Sequence, residues 1–192
     1  GAPKSLVVDS AGMVYVGGDY SYPASKYYVM KQGASSCSAL GNKYFNKPIY
    51  SLAFDKYWNL YAGGKFTDSS TNQNRFVAKW NGNGWSSLGI GVNALNANGD
   101  ILAVATDTAG NVYAAGWFYN AFGKPYVAKW NGTTWIELGT GLDELNANGA
   151  IKCLIVDKSG SVFATGNFLN ISGNQYVAKW DGLTWNELGI GS

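Results

Sequence analysis

The sequence contains no histidine. That removes the commonest general base, the usual partner of a Ser or Cys nucleophile and the commonest metal ligand, so Ser-His and Cys-His mechanisms are excluded. Charge is scarce as well: 14 Lys and Arg stand against 12 Asp and Glu, giving +2 overall, and charged residues make up 14% of the chain. That balance marks neither a nucleic-acid surface nor an anionic membrane partner. No apolar stretch approaches the roughly 18 to 20 residues needed to span a bilayer, and no basic-then-apolar leader opens the chain, so membrane insertion is not expected. There is no phosphate-binding P-loop or dinucleotide fingerprint, because the Gly-Gly pairs end strands rather than open helices. The chain starts at Gly1 rather than Met, which reads as a processed mature form or a segment of a longer protein. The two cysteines, Cys37 and Cys153, could pair in an oxidising compartment. Self-alignment puts them on strands of different depth, so free, buried thiols are expected.

What the sequence has in abundance is glycine and aromatic residues: 26 Gly, 8 Trp, 13 Tyr and 8 Phe. This is the composition of many short strands joined by tight turns. The segment Val77-Ala78-Lys79-Trp80-Asn81-Gly82 recurs at 127–132 and, with Asp for Asn, at 177–182, at a constant interval of 50 residues. A degenerate first copy is read at Val29-Met30-Lys31-Gln32-Gly33, with Met30 in the place of the later tryptophans. Periods of this length signal solenoids, propellers or arrays.

Each copy reads as four strands. The first is a short apolar run ending in Asp9, Asp55, Asp107 or Asp157, as expected of a strand buried on both faces. A tight turn leads into a second strand closing on small residues: Gly17-Gly18, Gly63-Gly64, Ala115-Gly116 and Thr165-Gly166. The third carries the Val-Ala-Lys-Trp segment. Turns at Asn81-Gly82, Asn131-Gly132 and Asp181-Gly182, where both residues tolerate positive φ, lead into a fourth strand with Trp85, Trp135 or Trp185, and with Cys37 in the first copy. The fold class predicted is therefore all-β: a four-bladed β-propeller of about 50-residue, four-stranded repeats. The blades are placed at 1–46, 47–96, 97–146 and 147–192.

The Gly-Gly pair ending the second strand, an aromatic on the third, a tight turn and a Trp on the fourth resemble the kelch repeat of galactose-oxidase-like propellers, over essentially the whole chain. The resemblance implies blades stacked face to face around an axis. The copper oxidation known in that family depends on His ligands, which this sequence lacks, so the activity is not carried over and no cofactor is expected. Three closures are open: a self-closed ring of four blades, half of an eight-bladed ring completed by a second copy, and part of a longer array. A closed ring predicts a monomer, and the half-ring a dimer.

The recurring aspartates could ring a metal, but each precedes a hairpin turn, where Asp caps backbone N–H groups. The tryptophans at fixed register read as packing between blades. Function is sought instead where the repeat is broken, in the connections between second and third strands: Trp117, Tyr20, Tyr22, Tyr119 and Phe122. Those connections share one propeller face with the links from a fourth strand to the next first strand. The links carry Asn96, Asn98, Asn146 and Asn148, whose amides serve either turn chemistry or ligand hydroxyls. Asp143 and Glu144 form an acidic pair that could hold calcium. Asn131 and Asn170 head N-glycosylation sequons, with Asn131 also in a hairpin turn.

The functional expectation is a non-catalytic, extracellular or cell-surface binding module whose loop face takes a glycan. The alternative is a protein-interaction or structural module of a secreted assembly. Glycosidase chemistry, needing only two carboxylates, is the enzyme alternative left standing.

Overall fold

The computed structural model describes residues 1–21, 25–33, 36–67 and 74–188. Each repeat folds as one antiparallel four-stranded sheet with its strands in sequence order. Blade one comprises β1 (Pro3–Val8), β2 (Val14–Gly18), β3 (Met30–Gln32) and β4 (Cys37–Ala39); blade two comprises β5 (Ile49–Phe54), β6 (Leu60–Gly64), β7 (Ala78–Trp80) and β8 (Trp85–Ser87). Blade three comprises β9 (Ile101–Thr106), β10 (Val112–Gly116), β11 (Ala128–Trp130) and β12 (Trp135–Glu137); blade four comprises β13 (Ile151–Val156), β14 (Val162–Gly166), β15 (Val177–Trp180) and β16 (Trp185–Leu188). The architecture is a four-bladed β-propeller.

Pairing corrects the alignment of the first copy. Gln32 pairs with Cys37 as Trp80 pairs with Trp85, and Met30 takes the place of Ala78. Blade one thus replaces both tryptophans, by Gln32 and Cys37. The hairpin turns also differ from expectation. The connection runs over 81–84, only Gly82 has positive φ (96°), and the Asn81 side chain works instead as an acceptor for the N–H groups of Asn83 and Gly84 at 3.0 Å.

The small residues ending each second strand have two distinct causes. The first seats the next blade: a Cβ at Gly17 would lie 2.7 Å from the Ile49 side chain, and one at Gly63 would lie 2.6 Å from Ile101 and Val104. The second faces its own blade, where the ladder is bulged. A Cβ at Gly64 or Gly116 would meet the carbonyl oxygen of Pro48 or Asp100 at 2.3 or 2.1 Å, contacts no real side chain tolerates. Glycine is therefore kept at the second position in every blade while the first relaxes to Ala115 and Thr165.

Blades stack through their innermost strands, β1 on β5, β5 on β9 and β9 on β13. Ile49, Ile101 and Ile151 are fully buried in these junctions, each worth about 1.5–3 kcal/mol of transfer free energy. The Ser5 and Ser51 hydroxyls accept the N–H groups of Leu52 and Val104 across the first two junctions, both at 2.9 Å. The Trp pairs are packing elements with ring centroids 5.6–5.8 Å apart, Trp85 buried and the other five half-buried. Their fourth-strand members donate indole N–H across the junction: Trp85 to Leu40 O at 3.2 Å, Trp135 to Leu88 O at 2.9 Å and Trp185 to Leu138 O at 2.8 Å. Trp135→Phe should keep the packing and orphan the Leu88 carbonyl, costing about 1 kcal/mol. In calorimetry that reads as a melting temperature lower by about 3 °C.

The described residues do not close the ring. Among the described residues no contact of comparable extent joins β13 to β1. Leu6 on β1 is 60% exposed and Ile155 on β13 is 61% exposed, although their equivalents inside the stack, Leu52 and Ala105, are 5% and 9% exposed. The expectation of buried cysteines fails for the same reason. Cys37 and Cys153 are free and both are exposed, because each occupies a blade position that packs only when a neighbouring blade is present.

Candidate ligand cleft on the loop face

The aspartate that ends each first strand is a turn cap. Asp107 Oδ1 accepts the N–H groups of Ala109 and Asn111 at 2.9 and 2.8 Å, and Oδ2 accepts the Asn111 amide and the Tyr113 hydroxyl at 2.6 and 3.0 Å. Burial pushes this carboxyl up, but the donors of Asn111, Tyr113 and Ala109 together outweigh burial and hold it below its ordinary value of 3.8. Asp55 repeats the arrangement with Tyr61. In blade four Phe163 removes the hydroxyl and Ser159 Oγ donates instead, at 2.6 Å. No group of three or more His, Cys, Asp or Glu side chains is placed to hold a metal among the described residues.

On the opposite face the connections between second and third strands meet the links between blades. Asn98 clamps the neighbouring connection: its Oδ1 accepts Tyr119 N–H at 2.9 Å and its Nδ2 donates to Tyr119 O at 3.1 Å. Asn148 accepts Leu169 N–H at 2.8 Å, and Asn46 accepts Thr67 N–H at 3.0 Å while donating to the Thr67 hydroxyl at 2.9 Å. The once-per-blade Asn of the link therefore ties one blade's link to the next connection. Asn96 and Asn146 occupy left-handed backbone at φ 48° and 54°. Asn146 Oδ1 also accepts from Lys124 Nζ at 2.7 Å.

The aromatic candidates divide. Trp117 is exposed and lies with Tyr119, ring centroids 6.4 Å apart, beside Asn98. Phe122 is exposed on the turn capped by Asn120. Tyr20 belongs to blade one, where its hydroxyl donates to Val16 O at 2.7 Å and burial carries its pKa to about 12. Tyr22 lies outside the described residues. Glu144 pairs with Lys124 rather than standing free beside Asp143. Asn131 is an exposed turn cap, accepting from Thr133 and Thr134 N–H at 3.0 Å. Asn170 caps its turn and donates to Glu187 at 2.6 Å.

A cleft of about 770 Å³ that the repeat pattern does not mark lies where blades one and two meet the link to blade three. Tyr44, Phe76 and the edge of Trp85 supply aromatic surface, and Asn46, Asn74 and Asn96 supply amides. Lys43 is the one charged side chain among its described lining residues. Blades three and four show why the cleft exists. There the connection between second and third strands is tied to the fourth strand: Asn120 donates to Glu137 at 2.8 Å, and Asn170 to Glu187. Burial, joined by the neighbouring Glu144, holds Glu137 above its ordinary value against the opposing Asn120 and Lys124, and burial with Glu137 carries Tyr126 to about 12. Blade two has Ser87 in place of Glu137 and Phe76 in place of Tyr126. Both line the cleft, and neither can make the carboxylate or phenol contacts of the later blades. The signal was readable as Ser86-Ser87 standing where the later copies have Ile136-Glu137 and Asn186-Glu187.

The fold places the chain among β-propellers. It is similar to a gluconolactonase from Xanthomonas campestris (11% identity, TM-score 0.61, covering 99% of this chain and 63% of that one) and to virginiamycin B lyase from Staphylococcus aureus (10% identity, TM-score 0.60, 98% and 56%). It is also similar to the β-propeller domain of the Trilobed protease from Pyrococcus furiosus (13% identity, TM-score 0.57, 92% and 51%). The chain thus spans less than two thirds of each of these structures. No family model and no curated protein matches the sequence.

Proposed function

We propose that the chain is a non-catalytic, extracellular binding module of kelch-like blades, and that the cleft between blades one and two takes a neutral glycan. The observation that carries this reading is the lining: aromatic faces beside three asparagine amides, with little charge, in a volume within the ~300–1,000 Å³ typical of small-ligand sites. Aromatic rings suit the apolar face of a pyranose, and amides both donate to and accept from hydroxyls. A near-neutral lining favours an uncharged ligand over a phosphate or carboxylate.

A glycan array followed by titration calorimetry tests it. One sugar class should bind, Tyr44→Ala should weaken binding at least about tenfold, consistent with loss of an aromatic contact worth about 1.5 kcal/mol, and Ser87→Glu should abolish binding by refilling the cleft. An array blank across broad sugar classes sinks the glycan reading. The competing reading is a protein-interaction module, favoured by the aliphatic side chains Ile90, Val92 and Leu142 standing fully out of the links on the same face. Binding to a protein partner that Ser87→Glu leaves intact would support it.

A further inference from the structure

We infer that the outward face of blade four is a docking surface for a further blade of this same repeat type, one that carries the tryptophan pair. The inference does not rest on the glycan reading. It comes from the three junctions already present, each built from the same parts.

At every junction the earlier blade offers small or aliphatic side chains on its inner strands and a Leu-Gly step after its fourth strand. The later blade brings aliphatic side chains over the former and its two tryptophans over the latter. One indole donates to the Leu carbonyl, as described above. The other lies so close to the glycine that a Cβ at Gly41, Gly89 or Gly139 would approach Trp80, Trp130 or Trp180 to 2.6–2.9 Å. Blade four repeats the earlier blade's half of this arrangement. Ile155, Val177 and Leu188 are 61%, 39% and 39% exposed, whereas Ala105, Val127 and Leu138 at the same positions of blade three are 9%, 0% and 7% exposed. Leu188 is followed in sequence by Gly189, so the Leu-Gly step is kept as well. The surface is continuous in register and chemistry with an interface the chain makes three times.

The observations favour a tryptophan-bearing blade over a second copy of this chain. The only blade a second copy could present in the right sense is blade one, whose free face has Gln32 and Cys37 where the pair should be. It would cover the aliphatic half of the surface and leave the Leu188 carbonyl without an indole.

Cys153 lies on the blade-four face and Cys37 on the blade-one face, both exposed, so each face has a built-in reporter read by the rate of reaction with Ellman's reagent. The chain is extended after Leu188 by a second copy of residues 89–138, which contains no cysteine and keeps the register. The expected result is a monomer in which Cys153 reacts at least about tenfold more slowly than in the parent chain while Cys37 is unchanged. Introducing Trp130→Ala and Trp135→Ala in the appended copy alone should restore the parent rate. An appended repeat that stays unfolded by circular dichroism, or that folds without slowing Cys153, overturns the proposal, since the same sequence folds against the equivalent face of blade two. Equal shielding by the tryptophan-free copy overturns the assignment of the pair as the recognised feature. In the unextended chain, shielding of both thiols with a mass of twice 20.5 kDa makes a second copy the occupant and overturns it too.

Discussion

Leu52→Ala and Leu154→Ala are each expected to cost about 3 kcal/mol, whereas Leu6→Ala should cost less than about 0.5 kcal/mol, measured as shifts in the urea midpoint. All three leucines occupy the same register position, opposite Ala62, Ala164 and Val16 on their second strands. Each points toward the blade before it. Leu52 reaches the seat at Gly17, where an added Cβ would sit 3.4 Å from its Cγ. Leu154 packs in one cluster with Ala103, Ala105 and Ala115 of blade three. Among the described residues no blade packs over Leu6, which is 60% exposed. Truncating the first two leaves a cavity between rigid sheets that cannot collapse without moving a whole blade, which places the cost in the upper part of the usual range. Truncating Leu6 removes atoms that water already touches. If Leu6→Ala destabilised as much as Leu154→Ala, the blade-one face would be covered in solution and the open arc would be wrong.

The same comparison shows how far the sequence carries. A repeat reports the class of each position, so four sheets, their strand order and the packing role of the tryptophans were legible from Val-Ala-Lys-Trp, the turn residues and the strand-ending glycines. It does not report whether a neighbour is present. Ile155 and Ala105 belong to one class, yet one is exposed and the other buried, and Cys37 and Cys153 follow the same rule. The first copy was misaligned at Met30 because the shared Val and Lys flank a segment that has lost both tryptophans and comes two residues off the 50-residue period. The loop-face asparagines were identified, but their two uses were not separable from sequence. Asn98 and Asn148 bond the next blade's backbone, and Asn96 and Asn146 hold left-handed turns. The cleft is not legible in residues added to the repeat, such as Trp117, because it is lined where Ser87 and Phe76 lack the carboxylate and phenol of the later copies.

Asp107→Ala is expected to be among the most damaging truncations of a polar group, costing about 3 kcal/mol and softening the acid limb of the stability curve. The carboxylate is 9% exposed and receives four donors. Alanine leaves the buried Tyr113 hydroxyl and the turn N–H groups of Ala109 and Asn111 without their acceptor, and an orphaned buried donor costs about 1–3 kcal/mol. The turn joining β9 to β10 then loses its cap at the centre of the stack, where Tyr113 packs into the cluster shared with blade four. The sign of the pH effect follows from the folded carboxyl lying below the ordinary 3.8. The unfolded chain takes up its proton first as pH falls, so the stabilisation is complete above the ordinary Asp range and drains away as pH drops through the lower folded value. Asp9, Asp157 and Asp181 are also held low, by donors in their own turns, so the wild-type curve falls below about pH 4 as the sum of several such groups. Removing Asp107 subtracts one of them. The variant should be less stable than wild type at pH 7, and the gap should narrow as pH approaches 3. Asp157→Ala, on an exposed turn whose hydroxyl partner is Ser159 rather than a buried tyrosine, should show a markedly smaller loss at pH 7. Thermal melts of the three proteins from pH 7 to 3 read both effects, and a constant gap between wild type and Asp107→Ala across that range would mean that the carboxylate is not what holds the turn.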